Sequence, residues 1–537
     1  MGAASDKRVF VRDATGLVRQ ISSIDALGMA LANIGLLFVF NTIVFGPGFW
    51  PTANPITTFL FGLLLVLPSV GVYTLMSIAM PRTGGDYVWV SRITHPSLGF
   101  MINVGLTAVV LSFIGIGTPT ASEWAMAEMF YDLGKIYGNQ SYLNIANMLQ
   151  ISSVTFVIAC VLCVVAAVVV IASTKWATAI VRYWMYASLI VAIVFAVTVL
   201  SAGTSTFISN FNALSGGNYD AVVKAGEQLG SYPGVPPAFS SATLYASAAS
   251  SALGYLGFNA SAYVGGEVRR VNRSQFVAQF GGVLIFAAFS ALITAVEYFG
   301  EGPAFANAMA ILWAQGSSSL PYLTTPLASG MSMFWTQNPI LIIMFNLSYV
   351  GVIEVFNIVV FLTFSRNLFA WSFDRVMPSK FAEVNERTHT PVNAIIIMLL
   401  VSFLYVYMTI YQYGVMASYY SYGSAGEIIG IALVAIAALA FPFVRKDLFD
   451  SADPIVRRRL LGVPLITILG LLTVIVSGIV VYAILLPTIG GIQFGTILIQ
   501  GIIPTYILGI VIFGVAWAVR RHQRIDLSLL HKELPPE

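Results

Sequence analysis

Charge is what this chain has least of. Asp, Glu, Lys and Arg make up 9% of its 537 residues, against 58% apolar residues, and the mean hydropathy is +0.85. A soluble domain carries about 25% charged residues, so a water-facing globule is excluded. The net charge of +3 is spread over many segments and offers no single basic patch for nucleic acid. Cysteine is almost missing. Cys160 and Cys163 stand one turn apart in an apolar run with no histidine nearby, the pattern of packing residues rather than of a metal site. The four histidines, His95, His389, His522 and His531, all fall outside the apolar runs, which removes imidazole relays and zinc chemistry from the interior. No HExxH, cluster of metal ligands or nucleophile–base pair is visible, so no enzyme and no cofactor is expected. Short-period repeats are also missing.

What the chain has is apolar length. Twelve stretches are legible, at 22–46, 56–80, 98–130, 150–172, 177–200, 243–266, 276–300, 338–364, 393–411, 423–443, 463–487 and 495–519. Most reach the roughly 20 residues a helix needs to cross hydrocarbon. If the N-terminus is cytoplasmic, every one of the 26 basic residues except Lys135 and Lys224 falls on the cytoplasmic side, the bias expected of such loops. The spacing therefore predicts an all-α, multi-pass membrane protein with both termini cytoplasmic. Residues 1–20, with Lys7, Arg8, Arg12 and Arg19, read as a tail rather than a signal peptide. Residues 21–520 read as one transmembrane domain and 521–537 as a second tail. Between spans, 201–242 is rich in Ser, Gly, Asn and Pro and reads as irregular cover. The segment around Trp313 suggests a short interfacial helix. Leu368, Phe369, Trp371, Phe373 and Val376, set among charges in 365–392, suggest an amphipathic helix on the membrane face, and 444–462 reads as a headgroup-facing loop. Asn139-Gln140-Ser141 matches a glycosylation sequon.

Non-helical backbone inside a bilayer is tolerated only where protein or a watery cavity surrounds it. Asn33-Ile34-Gly35 lies near the centre of the first stretch, and Gly254-Tyr255-Leu256-Gly257-Phe258-Asn259 at a comparable depth in the sixth. These stretches open two five-helix halves, 22–200 and 243–443, with 463–519 holding two further helices. Five is odd, so the second half runs in the opposite sense. Paired interruptions in inverted halves mark a transporter's binding site. Free N–H groups at a break suit a carboxylate and free carbonyls suit an ammonium. The substrate-binding candidates are therefore Asn33, Ile34, Gly35, Gly254, Tyr255, Leu256, Gly257, Phe258 and Asn259. Tyr255 and Phe258 are expected to close over the substrate.

Three runs sharpen this reading. Pro81-Arg82-Thr83-Gly84-Gly85-Asp86-Tyr87-Val88-Trp89 is followed by Ser91-Arg92 and Leu98-Gly99-Phe100. Gly265-Gly266-Glu267-Val268 precedes Arg269, Arg270 and Arg273. Ser365-Arg366-Asn367-Leu368-Phe369-Ala370 leads to Asp374-Arg375-Val376-Met377-Pro378 and to Thr390-Pro391-Val392-Asn393. In that order they resemble the loops after helices two, six and eight of the amino acid–polyamine–organocation transporters, over about 20–520. The resemblance implies an inverted five-plus-five fold, alternating access, and an amino acid bound between helices one and six with helices three, eight and ten completing the pocket. The lysine that some members carry in helix five is absent around Tyr186 to Ser188.

No lysine, arginine or histidine is read deep in any span, whereas acids are. Glu354, three residues before Asn357, and Glu427 are the proton-coupling candidates, because a carboxylate at that depth is costly and usually functional. Glu123, Glu128 and Glu297 read as vestibule residues. Glu267 with Arg269 and Arg270 reads as a cytoplasmic gate. The expectation is a proton-coupled amino acid symporter in the plasma membrane, its partners being the substrate and the lipid bilayer, with no nucleic acid and no protein partner. An amino acid or polyamine exchanger and a sodium-coupled carrier stay open within the same fold. A receptor or channel is the alternative of another class, but no filter motif is visible.

Overall fold

The computed structural model describes residues 10, 11, 14–36, 42–317, 327–411, 413–484, 502–531 and 533–536. Among them, ten helices are long and apolar enough to span a membrane. The first and sixth stretches are not in that ten, because each is divided. α1 (Ser23–Ile34) starts at a capping box in which Ser22 Oγ accepts from the Asp25 N–H at 3.3 Å and Asp25 Oδ2 from the Ser22 N–H at 3.1 Å. It stops at Gly35, whose φ of +80° a side chain would resist. α2 (Thr42–Phe49) follows, with 37–41 outside the described residues. α3 (Pro55–Ala79) begins with Asn54 as cap and proline at its first position.

A short buried helix, α4 (Asp86–Ile93), leads into α5 (Pro96–Thr120), which passes through a π-helical turn at Ala121–Met126 into α6 (Ala127–Tyr137). α7 (Gln140–Met148), capped by Asn139 of the sequon, precedes α8 (Ser152–Ala172). α9 (Thr174–Leu214) runs 41 residues through a bend at Gly203, and α10 (Tyr219–Gln228) comes next. The irregular cover expected over 201–242 is thus largely helical. Packing decides it: Phe207 and Phe211, one turn apart, meet Phe305 at 5.4 and 4.9 Å between ring centroids, and buried aromatics outweigh a polar composition.

The sixth stretch is α11 (Ser241–Leu253) and the single turn α12 (Ala260–Tyr263). α13 (Val271–Glu301) and α14 (Pro303–Ala314) follow. α14 is the helix expected at the interface, yet Phe305 to Leu312 are buried and it packs against α2 and α10. α15 (Pro339–Phe373) corrects another expectation. With no helix breaker after its N-terminal proline it continues for 35 residues, and Leu368, Phe369, Trp371 and Phe373 are buried within it rather than lying on a membrane face. α16 (Val392–Tyr411), α17 (Tyr413–Val444), α18 (Lys446–Ser451), α19 (Leu465–Ile484) and α20 (Ile503–His522) complete the chain. The 444–462 loop holds α18 and a hairpin pairing Arg459–Leu460 with Val463–Pro464, its tip Leu461 fully exposed. The start of the twelfth stretch, 495–501, lies outside the described residues.

Packing between the segments 22–200 and 243–443 is reciprocal. α1 packs on α13 and α11 on α3; α8 and α9 pack on α15, and α16 and α17 on α5. Long outward-facing apolar side chains such as Leu200, Ile193 and Ile340 remain exposed, as a lipid-facing surface requires.

Candidate functional site

The two interruptions touch. Asn33, in the last turn of α1, donates from Nδ2 to the Gly257 carbonyl oxygen at 3.2 Å. Gly257 sits at φ +95°, and a Cβ there would lie 2.7 Å from the Asn33 carbonyl carbon and oxygen. Only glycine permits that approach of two backbones. The unwound stretch 254–259 separates α11 from α12, so the carbonyl end of α1 meets this stretch beside α12 in the protein interior. Asn33 Oδ1 is buried and accepts no hydrogen bond among the described residues, leaving one acceptor at the junction.

The two segments expected to form the site are in contact, and their side chains have other partners besides. The Gly35 N–H donates to Leu31 O at 3.0 Å, so it is not a free donor for a carboxylate. The helices resume as α2 and α12, whose first turns lack intrahelical partners for their N–H groups. Ile34 and Leu256 are buried, and Gly254 is half-buried. Tyr255 and Phe258 do not close over the break. Tyr255 donates from its hydroxyl to Phe59 O on α3 at 2.7 Å, and Phe258 stacks edge-on against Tyr73 of α3 at 5.7 Å. Both turn away because a fully buried ring lowers its free energy by packing and, for tyrosine, by finding an acceptor. Asn259 Nδ2 reaches the Tyr263 hydroxyl at 3.4 Å.

The gate expectation is half corrected. Glu267 pairs not with Arg269 or Arg270 but with Arg366 of α15, Nε to Oε1 at 2.8 Å and Nη2 to Oε2 at 3.1 Å, both side chains wholly buried. Arg366 Nη2 also donates to Thr174 Oγ1 at 2.9 Å. Arg269 and Arg270 lie exposed beyond the extended Val268, and Arg269 donates to Arg19 O at 3.0 Å. The interior is therefore not free of bases. The unbroken α15 carries Arg366 inside, a consequence of helix length that residue type alone does not reveal. A second buried pair, Arg92 with Asp374, is likewise two-pronged at 2.6 and 3.0 Å, and Tyr87 donates to the same carboxylate at 2.8 Å. Two fork-shaped pairs fix geometry as well as charge. Near them the main chain of residues 20 and 21 joins in: the Gln20 and Ile21 N–H groups donate to Glu267 O at 2.9 and 3.0 Å, and Arg269 N–H returns to Ile21 O at 2.9 Å.

Of the coupling candidates, Glu427 on α17 is buried and faces the α4 region, close enough to feel Asp86 electrostatically. Glu354 lies apart from it, alongside Cys163 of α8, and neither carboxylate oxygen accepts a hydrogen bond among the described residues. Asn357 accepts from Thr118 at 3.2 Å. The residue that sequence reasoning missed is Asp86, visible only as a letter of a matched motif. It is wholly buried in α4 and accepts from Asn103 at 2.6 Å, Tyr263 at 2.9 Å and Tyr73 at 3.1 Å. Burial pushes its carboxyl up to about 6, against these donors that pull it down. The folded protein thus holds this proton more tightly than the unfolded chain. Its contribution to stability is present at pH 4 and is lost as pH rises through about 6, by roughly 3 kcal/mol. Melting temperatures from pH 4 to 7 should fall more steeply for the wild type than for Asp86→Asn; parallel curves would refute this.

The two divided helices thus meet inside a multi-pass helical bundle. The family model described as amino acid permease matches residues 21–514. The chain belongs to that family and with it to the amino acid–polyamine–organocation superfamily. No curated relative matches the chain.

Proposed function

We propose that this protein is a secondary transporter carrying an amino acid by alternating access, with the substrate held where the divided helices meet. The contact between Asn33 and Gly257 carries this reading. With the two divided helices counted as spans beside the ten long ones, the chain has twelve. The reciprocal packing described above is what two inverted five-helix halves produce. The substrate ammonium meets the terminal carbonyls of α1 and the Asn33 amide oxygen, and its carboxylate meets the N–H end of α2. Both termini are cytoplasmic and the membrane is the plasma membrane. The buried pairs Glu267–Arg366 and Arg92–Asp374 hold the inner side closed, and must part or travel as a unit when it opens.

Protons drive the cycle through Glu427 and Glu354, the first a buried and the second a half-buried acid within a span, since an imposed pH gradient acts on carboxyls of this kind. Purified protein in liposomes with an acidic exterior should accumulate amino acids, and a protonophore should collapse the gradient. Replacing sodium by choline at fixed pH should leave uptake unchanged; a tenfold fall would assign the coupling to sodium. Glu427→Gln should lose accumulation at least tenfold while counterflow between equal pH compartments persists. Uptake that requires internal substrate even with a pH gradient would identify an exchanger instead. Thermal shift against the amino acids and polyamines names the substrate class.

A further inference from the structure

We propose, on the carrier reading above, that Asp86 is a positioning residue of the cycle: ionised, its carboxylate latches α12, the turn that resumes the divided sixth stretch, and a bound proton releases it. Asp86 is wholly buried at the start of α4 and is bonded from three other helices. Its two oxygens are used unequally. Oδ1 accepts from Asn103 Nδ2 of α5 at 2.6 Å, and the oxygen of that amide accepts from Trp371 Nε1 of α15 at 2.7 Å. Oδ2 takes two hydroxyls, Tyr73 of α3 at 3.1 Å and Tyr263 of α12 at 2.9 Å. Tyr263 closes α12, and the Nδ2 of Asn259, at the end of the break, lies 3.4 Å from the same hydroxyl. The path Asn259–Tyr263–Asp86 therefore runs from the break to the carboxylate. The main chain follows the same seam. The Gly84 N–H donates to Tyr263 O at 2.9 Å, Thr83 bridges to Val264, and a Cβ on Gly85 would come within 3.2 Å of Ala262 O.

An ionised carboxylate only accepts, so one oxygen can hold both hydroxyls. A proton added to Oδ2 from the aqueous side neutralises the group and turns that oxygen into a donor, so one hydroxyl must reverse or let go. Tyr73 is held independently, edge-on to Trp89 at 5.4 Å and to Phe258 at 5.7 Å. Tyr263 meets one ring, Phe364 of α15 at 4.9 Å, but its helix is a single turn between the unwound stretch and a short 3-10 turn. It is the end that gives. No arginine, lysine or histidine pairs with Asp86 among the described residues; the ionisable groups that face it are the two tyrosines, Glu427 of α17 and Tyr506 of α20. Elsewhere on α4, Arg92 is occupied by Asp374 and by Glu533 O at 3.2 Å, and Tyr87 by Asp374. Burial holds the Asp86 carboxyl up at about 6, where modest acidification changes its charge.

The test uses the full chain in liposomes and counterflow of a radiolabelled mixture of the common amino acids. The pH is equal on both faces, so that no gradient drives exchange, and is varied from pH 4 to pH 8. Wild-type exchange should be about tenfold faster on the acid side, the weight of one hydrogen bond to a charged group. Asp86→Asn should exchange at that raised rate at every pH, and so should Tyr263→Phe, which breaks the latch from its other end and removes only a hydroxyl. Tyr73→Phe should keep the step and move its midpoint to higher pH, because the ionised form alone loses a donor. A second readout needs no transport. An environment-sensitive fluorophore on Arg270→Cys, with Cys160→Ala and Cys163→Ala, reports on the exposed segment just past α12 and should show the same pH step, abolished by Asp86→Asn. A fluorescence step without counterflow supports the latch and overturns the carrier reading. A flat fluorescence profile, or a step that survives unchanged in Asp86→Asn, overturns the latch, and counterflow then keeps the carrier reading standing.

Discussion

Replacing Arg366 with Met should destabilise the protein by about 3–5 kcal/mol, the usual cost of leaving one partner of a buried ion pair uncompensated. The side chain makes three hydrogen bonds to Glu267 and Thr174 from a position with no solvent exposure. Glu267→Met alone should cost a similar amount, since it strands the guanidinium. The double variant should lose far less than either, because two apolar side chains of similar volume replace both charges. Melting in detergent and recovery of monodisperse protein measure this. Losses in the double variant equal to the sum of the singles would mean that the two residues do not act on each other. Uptake separates fold from cycle: if the pair times the opening of the inner side, the double variant should fold yet transport poorly.

The second large effect is expected at Gly257. A methyl group there meets the Asn33 main chain at 2.7 Å, and φ is +95°, a region that costs an L-residue roughly 1–2 kcal/mol even in open space. Gly257→Ala should therefore lower substrate uptake more than tenfold. Gly138 supplies the control, since its φ is +60° but nothing lies within 4 Å of its would-be Cβ. Gly138→Ala carries the backbone strain without the collision, and should transport normally at slightly reduced stability. Wild-type uptake by Gly257→Ala would defeat the placement of the substrate.

The breaks are legible in the sequence because glycine and asparagine inside an apolar run are conspicuous against the demands of hydrocarbon. Span ends were harder. Nothing in 365–373 distinguishes a helix that stops from one that goes on, and whether Arg366 faces water or protein follows from that alone. Glu267 pairs across the fold with Arg366 rather than with its chain neighbours, since adjacency along the chain is a poor guide once Val268 is extended. Asp86 was hidden for another reason. Its importance arises from Tyr73, Asn103 and Tyr263, three residues from three other helical segments, and no spacing in one dimension brings them together. Composition misled at 201–242, where Phe207 and Phe211 outvoted the surrounding serines and glycines.

The three main-chain hydrogen bonds that stitch residues 20 and 21 to 267 and 269 tether the amino-terminal arm to the same short turn that bears Glu267. Whatever displaces that turn drags the arm along, so the two are mechanically geared. A fluorophore at residue 16, four positions before the seam, would then serve as an external needle on the motion of the inner mouth.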